Sequence, residues 1–375
     1  MNRPALLKAA RTCAAAAVRL CRRSRVACCI AACCIAACGF ALHAGAAELQ
    51  LDGLYQRPDG AITVRLNGAG IDPYFAAKAL LGASDAQLDA HRAARAWIAW
   101  LLPRQRPDGG FDRYCLNNGQ YDACAQADAD DAMMATWIEL LARFAPPDGM
   151  PAAWERSLNR AAAHLDALLD KRTGVYQISS SLHVALLMDN VEVHSAFQAL
   201  AAYYVRHADP ARAAPWSQRA DRLASAILTV FWRGSQSGFR PSTQRISDTS
   251  FYPAKVAQIF PILSGIQVPD QSNATLYAQW MRKYGKAWLQ LAGADYPWGL
   301  IALVALKMND SNTVACWHAR SGPYRHGAHW NVLEEALYLA FESRLADPVA
   351  PAQCGFATAD ATVTASNSRN GVRGP

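Results

Sequence analysis

Beyond residue 46 the sequence is short of cysteine, of net charge and of long apolar runs, and each shortage excludes a class of protein. Seven of the eleven cysteines fall within residues 1–46, leaving Cys115, Cys124, Cys316 and Cys354. These four contain no CxxC pair and no histidine at a zinc-ligand spacing, so structural zinc is not indicated. The formal charge of +7 belongs to the same first segment. That segment carries Arg3, Lys8, Arg11, Arg19, Arg22, Arg23 and Arg25 and no acid. Subtracting those seven from the 37 basic residues leaves 30 against 30 acidic ones. A neutral balance carries no electrostatic footprint for nucleic acid. HExxH is missing, and His326 and His329 in RHGAHW do not replace it as a metal motif. GxSxG is missing too, so Ser179-Ser180-Ser181 is not a nucleophile elbow. No exact repeat and no linker-like break divides the chain.

What is present describes a globular protein: 375 residues, 52% apolar and 18% charged. Such a chain can bury a large core. The Arg-rich start, the run VACCIAACCIAACGFAL and the small residues Ala44-Gly45-Ala46 read in order as a secretory signal peptide. Two other readings compete. Ile35-Ala36-Ala37-Cys38 resembles a lipobox that would acylate Cys38, and Arg22-Arg23 resembles a twin-arginine signal. All three predict a periplasmic or secreted protein, lipid-anchored if Cys38 is acylated, with membrane contact only through the leader or that lipid. Four cysteines in an exported chain predict disulfides. Closure of CLNNGQYDAC by Cys115 and Cys124 is the simplest pairing, and Cys316 with Cys354 would then tie down the C-terminal segment. The expected layout is a leader over 1–46, one domain over 47–346 and a largely disordered tail over 347–375.

The domain itself reads as all-α. A short hairpin fits LQLDGLYQRPDGAITVRLNGAG. From Asp72 on, apolar residues recur three and four apart, predicting ten helices from PYFAAKALLGA to HWNVLEEALYLAFESRL. Paired helices joined by loops of mixed length predict an (α/α)6 toroid of helical hairpins, with a cleft above the inner helix ends.

Two acidic clusters open predicted helices. In AQADADDAMM, Asp128, Asp130 and Asp131 precede the run ATWIELLARF. One carboxylate suffices as a helix cap, and the others would favour the positive end of the helix dipole. Asp130 and Asp131 point about a third of a turn apart. In LMDNVEVHSAFQALAAYY, Asp189 and Glu192 are spaced like a capping box. Against the capping reading stands a catalytic one: two carboxylate clusters opening separate helices suit glycosidic cleavage by an acid and a base or nucleophile. On that reading Asp130 is the general acid, and Asp189 or Glu192 activates water. Aromatics in or beside loops, among them Phe239, Tyr252, Trp298, Trp317, Tyr324 and Trp330, suit stacking on sugar faces. Tyr252, Trp298 and Trp330, with Asp131 and Asn190 for hydroxyl contacts, form the expected substrate set.

Several segments together resemble the six-hairpin glycosidase-like superfamily: IDPYFAAKALLGA, QADADDAMMATW, LLMDNVEVHSAFQALA, SFYPAKVAQIFPILSGI and YPWGLIALVAL. They run in order over about residues 70 to 345. The resemblance implies an (α/α)6 barrel whose inner helix ends carry sugar-binding and hydrolytic carboxylates, and points to Asp130, Asp189 and Glu192. It implies a carbohydrate partner and requires no cofactor or metal. The superfamily also holds lyase, phosphorylase and epimerase relatives, so the fold does not fix the reaction. A non-catalytic glycan-binding or exopolysaccharide-assembly protein is the alternative. A rival resemblance links DADDAMMA to the DxDD motif of class II terpene cyclases and WIAWLLPRQRPDGGF to a QW-type repeat. One partial repeat behind an export signal fits that family poorly. Oligomeric state leaves no mark in the sequence.

Overall fold

The computed structural model describes residues 47–345, apart from 128, 236, 247–249 and 291–295, together with Cys354. The expectations for the leader and the tail lie outside these residues. Twelve α-helices are described: α1 (Pro73–Asp85), α2 (His91–Leu101), α3 (Asp130–Phe144), α4 (Ala152–Ala167), α5 (Leu187–Arg206), α6 (Pro210–Phe231), α7 (Phe260–Leu263), α8 (Asn273–Trp280), α9 (Lys286–Leu289), α10 (Gly299–Lys307), α11 (Ser311–Ser321) and α12 (Val332–Glu342). Six of them close a ring, in which α1 packs on α3, α3 on α5, α5 on α7, α7 on α10, α10 on α12, and α12 back on α1. Outside it, α2, α4, α6 and α11 each pack on the inner helix before them. The chain is the all-α toroid that its periodicity predicts.

Burial explains which helix takes which place. Twelve of the fifteen residues of α3 are buried. Only five of the 22 in α6 are, on one stripe. A helix apolar on all sides needs neighbours all round it, whereas an amphipathic one needs a single partner. Helix α10, GLIALVALK, buries every residue from Gly299 to Ala305.

Three features depart from expectation. The main hairpin is β2 (Asp112–Asn117) with β3 (Gln120–Gln126), and β1 (Gly70–Ile71) joins the edge of the same antiparallel sheet, while within 49–70 a single antiparallel bridge pairs Gln56 with Ile62. The turn is Asn118-Gly119, both at positive φ (48° and 84°). That pair is what a two-residue type I′ turn selects. PAKVAQIFPILSGI is not one helix: a π-turn over Phe251–Lys255 and a 3₁₀ turn over Val256–Gln258 precede the short α7. Pro261 lacks the N–H that a continuous helix would need there. The third departure is SNTVACWHARS, which forms α11, capped by Asp310 on the Thr313 amide at 3.0 Å. Trp317, placed by sequence beside a loop, is therefore a buried helix residue.

Both expected disulfides form, Cys115–Cys124 across the hairpin and Cys316–Cys354. No described helix is long and apolar enough to cross a membrane.

Candidate active site

The starts of α1, α3, α5, α10 and α12 surround a cavity of about 480 Å³. This is the size of a small-ligand site. Asp189 and Glu334 line it from α5 and α12, and Arg113 and Asp72 line it from β2 and the entry to α1. Arg113 Nε donates to Asp72 Oδ2 at 2.9 Å. Asp72 also caps α1, accepting the Tyr74 amide at 3.1 Å.

The acidic residues of α3 and α5 do not sit at the N-cap positions, although Asp131 Oδ1 accepts the Ala132 amide at 2.9 Å. Ala129 and Leu186 occupy the N-cap positions, and neither makes a side-chain cap bond. None of Asp130, Asp131, Asp189 and Glu192 is an N-cap residue, but Asp130, Asp131 and Asp189 lie in the first turns, where the helix dipole favours a carboxylate, while Asp128 lies outside the described residues. Asp131 is fully buried. Burial first, and the neighbouring Asp189 second, push its carboxyl well above the usual range. A like charge in one dry site disfavours ionisation, so the fold favours the protonated form of Asp131 beside Asp189.

Asp130 is oriented differently. Its carboxylate lies 3.6 Å from His164 Nε2 on α4, and its amide donates to the Ile178 carbonyl at 2.8 Å. It is not among the residues lining the cavity. The Asp130 carboxylate raises the His164 imidazole, against the opposing effect of burial. Glu192 is also drawn away from the cavity. Its Oε1 accepts from Tyr74 Oη at 2.7 Å and pairs with Lys78 Nζ at 3.0 Å, both on α1. These bonds tie α5 to α1.

Asn190 and Trp330 do not meet the expectation of sugar contact. Asn190 is buried, and its amide group accepts from the Tyr176 amide and donates to the Tyr176 and Leu186 carbonyls, which pins the loop before α5. Trp330 is fully buried, stacks on Trp317 and donates to Glu335 Oε2 at 2.9 Å. Tyr252 and Trp298 do line the cavity, stacked on each other at 5.2 Å and 17°. Phe75 and Tyr296 continue that aromatic wall. The Trp298 indole N–H is buried and has no acceptor among the described residues.

Glu334 was not singled out by sequence. In NVLEEAL it reads as the third residue of a helix capped by Asn331, which it is: Asn331 Oδ1 accepts the Leu333 and Glu334 amides. Its side chain, however, is buried and turned to the cavity, with Oε2 accepting the Gly299 amide at 2.8 Å. Burial raises its carboxyl to about 7, against the lowering effect of the Gly299 and Trp298 amides. No local signal separates Glu334 from Glu335, whose carboxylate is held in the core by Arg325 and Trp330.

Among the described residues no group of three or more His, Cys, Asp or Glu is placed to hold a metal ion.

No family model matches the chain, and no curated protein does. Solved structures do. An uncharacterized conserved protein from Thermus thermophilus is similar over 76% of this chain and 96% of its own, at 14% identity and a TM-score of 0.50. A rhamnosidase from Klebsiella oxytoca, solved with rhamnose bound, aligns over 74% of this chain and 66% of its own, at 13% identity and a TM-score of 0.48. At these identities the likeness to the Thermus protein speaks for the fold alone.

Proposed function

We propose that the chain is a glycoside hydrolase, with Glu334 as general acid and Asp189 as the carboxylate that activates water or captures the sugar. One observation carries this reading. Two buried carboxylates on different ring helices face one cavity, beside a wall of stacked aromatics. A carboxyl raised to about 7 still holds a proton near neutral pH and can deliver it to a glycosidic oxygen. The neighbouring Asp131, whose carboxyl is pushed well up by burial and then by Asp189, is the member of the pair that favours a proton. Tyr252 and Trp298 offer apolar faces to a sugar ring, and the Trp298 N–H offers a donor to a hydroxyl. Asp130, the general acid expected from sequence, becomes in this reading a positioning residue that holds the start of α3 through His164 and Ile178.

Two disulfides fit an oxidising compartment, which supports export by the leader. We propose a periplasmic or secreted location, and intact mass of the native protein distinguishes acylation at Cys38 from simple cleavage.

The test is product release from a panel of bacterial and plant polysaccharides, read by mass spectrometry. Wild type is expected to release saturated oligosaccharides, and Asp189→Asn and Glu334→Gln at least about a hundredfold less. Full turnover in either variant removes that residue from the mechanism. An unsaturated, ultraviolet-absorbing product assigns lyase chemistry instead. A folded protein that binds glycans but releases nothing is a binding protein. The anomer of the first product, read by NMR, separates water activation by Asp189 from covalent capture.

A further inference from the structure

A second, larger hollow of about 980 Å³ adjoins the candidate site. The segment 241–243 separates the two: Leu187 donates to the Pro241 carbonyl and Thr243 to the Ala185 carbonyl, both at 2.9 Å. Leu186 and Met188 face the candidate site, whereas Pro241, Ser242 and Thr243 line the larger hollow. Tyr252 and Lys255 are divided in the same way.

The larger hollow holds five cations, Arg233, Arg240, Arg245, Lys255 and Lys283, and no acid among its described lining residues. Asp270 stands near its edge, where it accepts the Ser235 amide at 3.0 Å. The chain beyond residue 46 has equal numbers of acids and bases, so five cations without a lining acid is a marked local excess. Elsewhere arginines sit on carboxylates: Arg92 on Glu48, Arg106 on Asp112, Arg143 on Asp85 and Arg219 on Asp166. None of the five cations forms such a pair with a described residue. Burial, and to a lesser degree the neighbouring Arg233, lower the Arg240 guanidinium. Trp280 is buried in the same wall, and Lys283 Nζ and Lys255 Nζ lie over the Tyr284 ring, 5.0 Å and 5.9 Å from its centre.

From this geometry we infer that the hollow is a binding site for an acidic oligosaccharide, carrying carboxylates on successive sugars, and that it is an accessory subsite of the neighbouring cavity. The volume takes more than one sugar ring. The cations are spread over several segments, which suits charges repeated along a chain rather than one compact anion. The inference rests on the glycan reading of the candidate site, and binding is measured separately from turnover.

Affinity electrophoresis of the purified protein through gels containing polygalacturonate, dextran or polyphosphate tests it. Retardation by polygalacturonate and not by dextran is expected, and salt should weaken it. The triple variant Arg240→Gln/Lys255→Gln/Lys283→Gln should lose affinity by roughly tenfold or more. If that variant does not fold, the exposed single change Lys283→Glu serves in its place, with a smaller loss in the same direction. Retardation is read without any turnover, so a failed hydrolase reading leaves this result standing. Equal retardation of wild type and the pocket variants, no retardation of wild type, or retardation by polyphosphate alone overturns the proposal.

Discussion

Glu334 owes its chemistry to its place rather than to its type. Two helix-start amides face its carboxylate and favour the charged form, yet burial outweighs them and the group titrates near 7. If it is the acid, kcat/KM should fall on the alkaline side with a midpoint near pH 7, and Glu334→Gln should lose roughly 10²–10⁴-fold in rate. Stability has the same sign. The folded carboxyl keeps its proton up to about 7, whereas the unfolded one releases it near 4.5. The contribution is therefore complete below pH 4.5 and is lost as pH rises to 7, by at most about 3 kcal/mol. Thermal melts of Glu334→Gln should show a smaller loss of Tm between pH 5 and pH 8 than wild type. Asp131 is also pushed up, by burial and then by Asp189, which favours its neutral form. Asp131→Asn should stay within roughly tenfold of wild-type kcat, since the amide is as neutral as the acid it replaces. A loss as large as that of Asp189→Asn would show that Asp131 shuttles a proton.

At the scale of elements, the β2–β3 hairpin links stability to the site, because Arg113 reaches the cavity from β2 while Cys115, two residues on, is bonded to Cys124. Replacing both cysteines by serine frees a short loop in the unfolded chain and should cost about 2–3 kcal/mol. KM should rise with kcat little changed, because the hairpin shapes the cavity wall and carries no reacting group. Denaturant melts and steady-state kinetics on one preparation check both effects. This hairpin is legible in the sequence as Asn118-Gly119 between alternating residues, the pair that a two-residue turn selects. The long helices were legible because a three-to-four spacing survives any tertiary context. The fourth ring position was not, since Pro253 and Pro261 break a pattern that otherwise reads as continuous. For the site, the sequence marks which helices begin with acids. Which carboxylate of each cluster turns inward depends on ring packing: Asp131 turns inward from the Asp130-Asp131 pair, and Asp189 rather than Glu192 reaches the cavity.

At the scale of the whole molecule, closure of the toroid and assembly of the site meet at one glycine. A Cβ on Gly299 would stand 2.9 Å from Leu337 Cδ1 and Trp317 Cζ2 and 3.0 Å from Glu334 Oε2. Those neighbours belong to α11 and α12, and α12 in turn closes the ring on α1. Helix propensity favours alanine over glycine by up to about 1 kcal/mol. The clash should prevail, because Trp317 is stacked on Trp330 and Leu337 is fully buried, so neither can swing aside. Overpacking of this kind costs about 1–3 kcal/mol. Gly299→Ala should therefore lower Tm and, by displacing the Glu334 carboxylate from the Gly299 amide, lower kcat and shift the alkaline limb of the pH profile. Gly70→Ala, where a Cβ meets nothing within 4 Å, is the control and should change neither. A Gly299→Ala protein that loses stability but keeps the wild-type pH profile would show that Glu334 is held in the ring without setting its protonation.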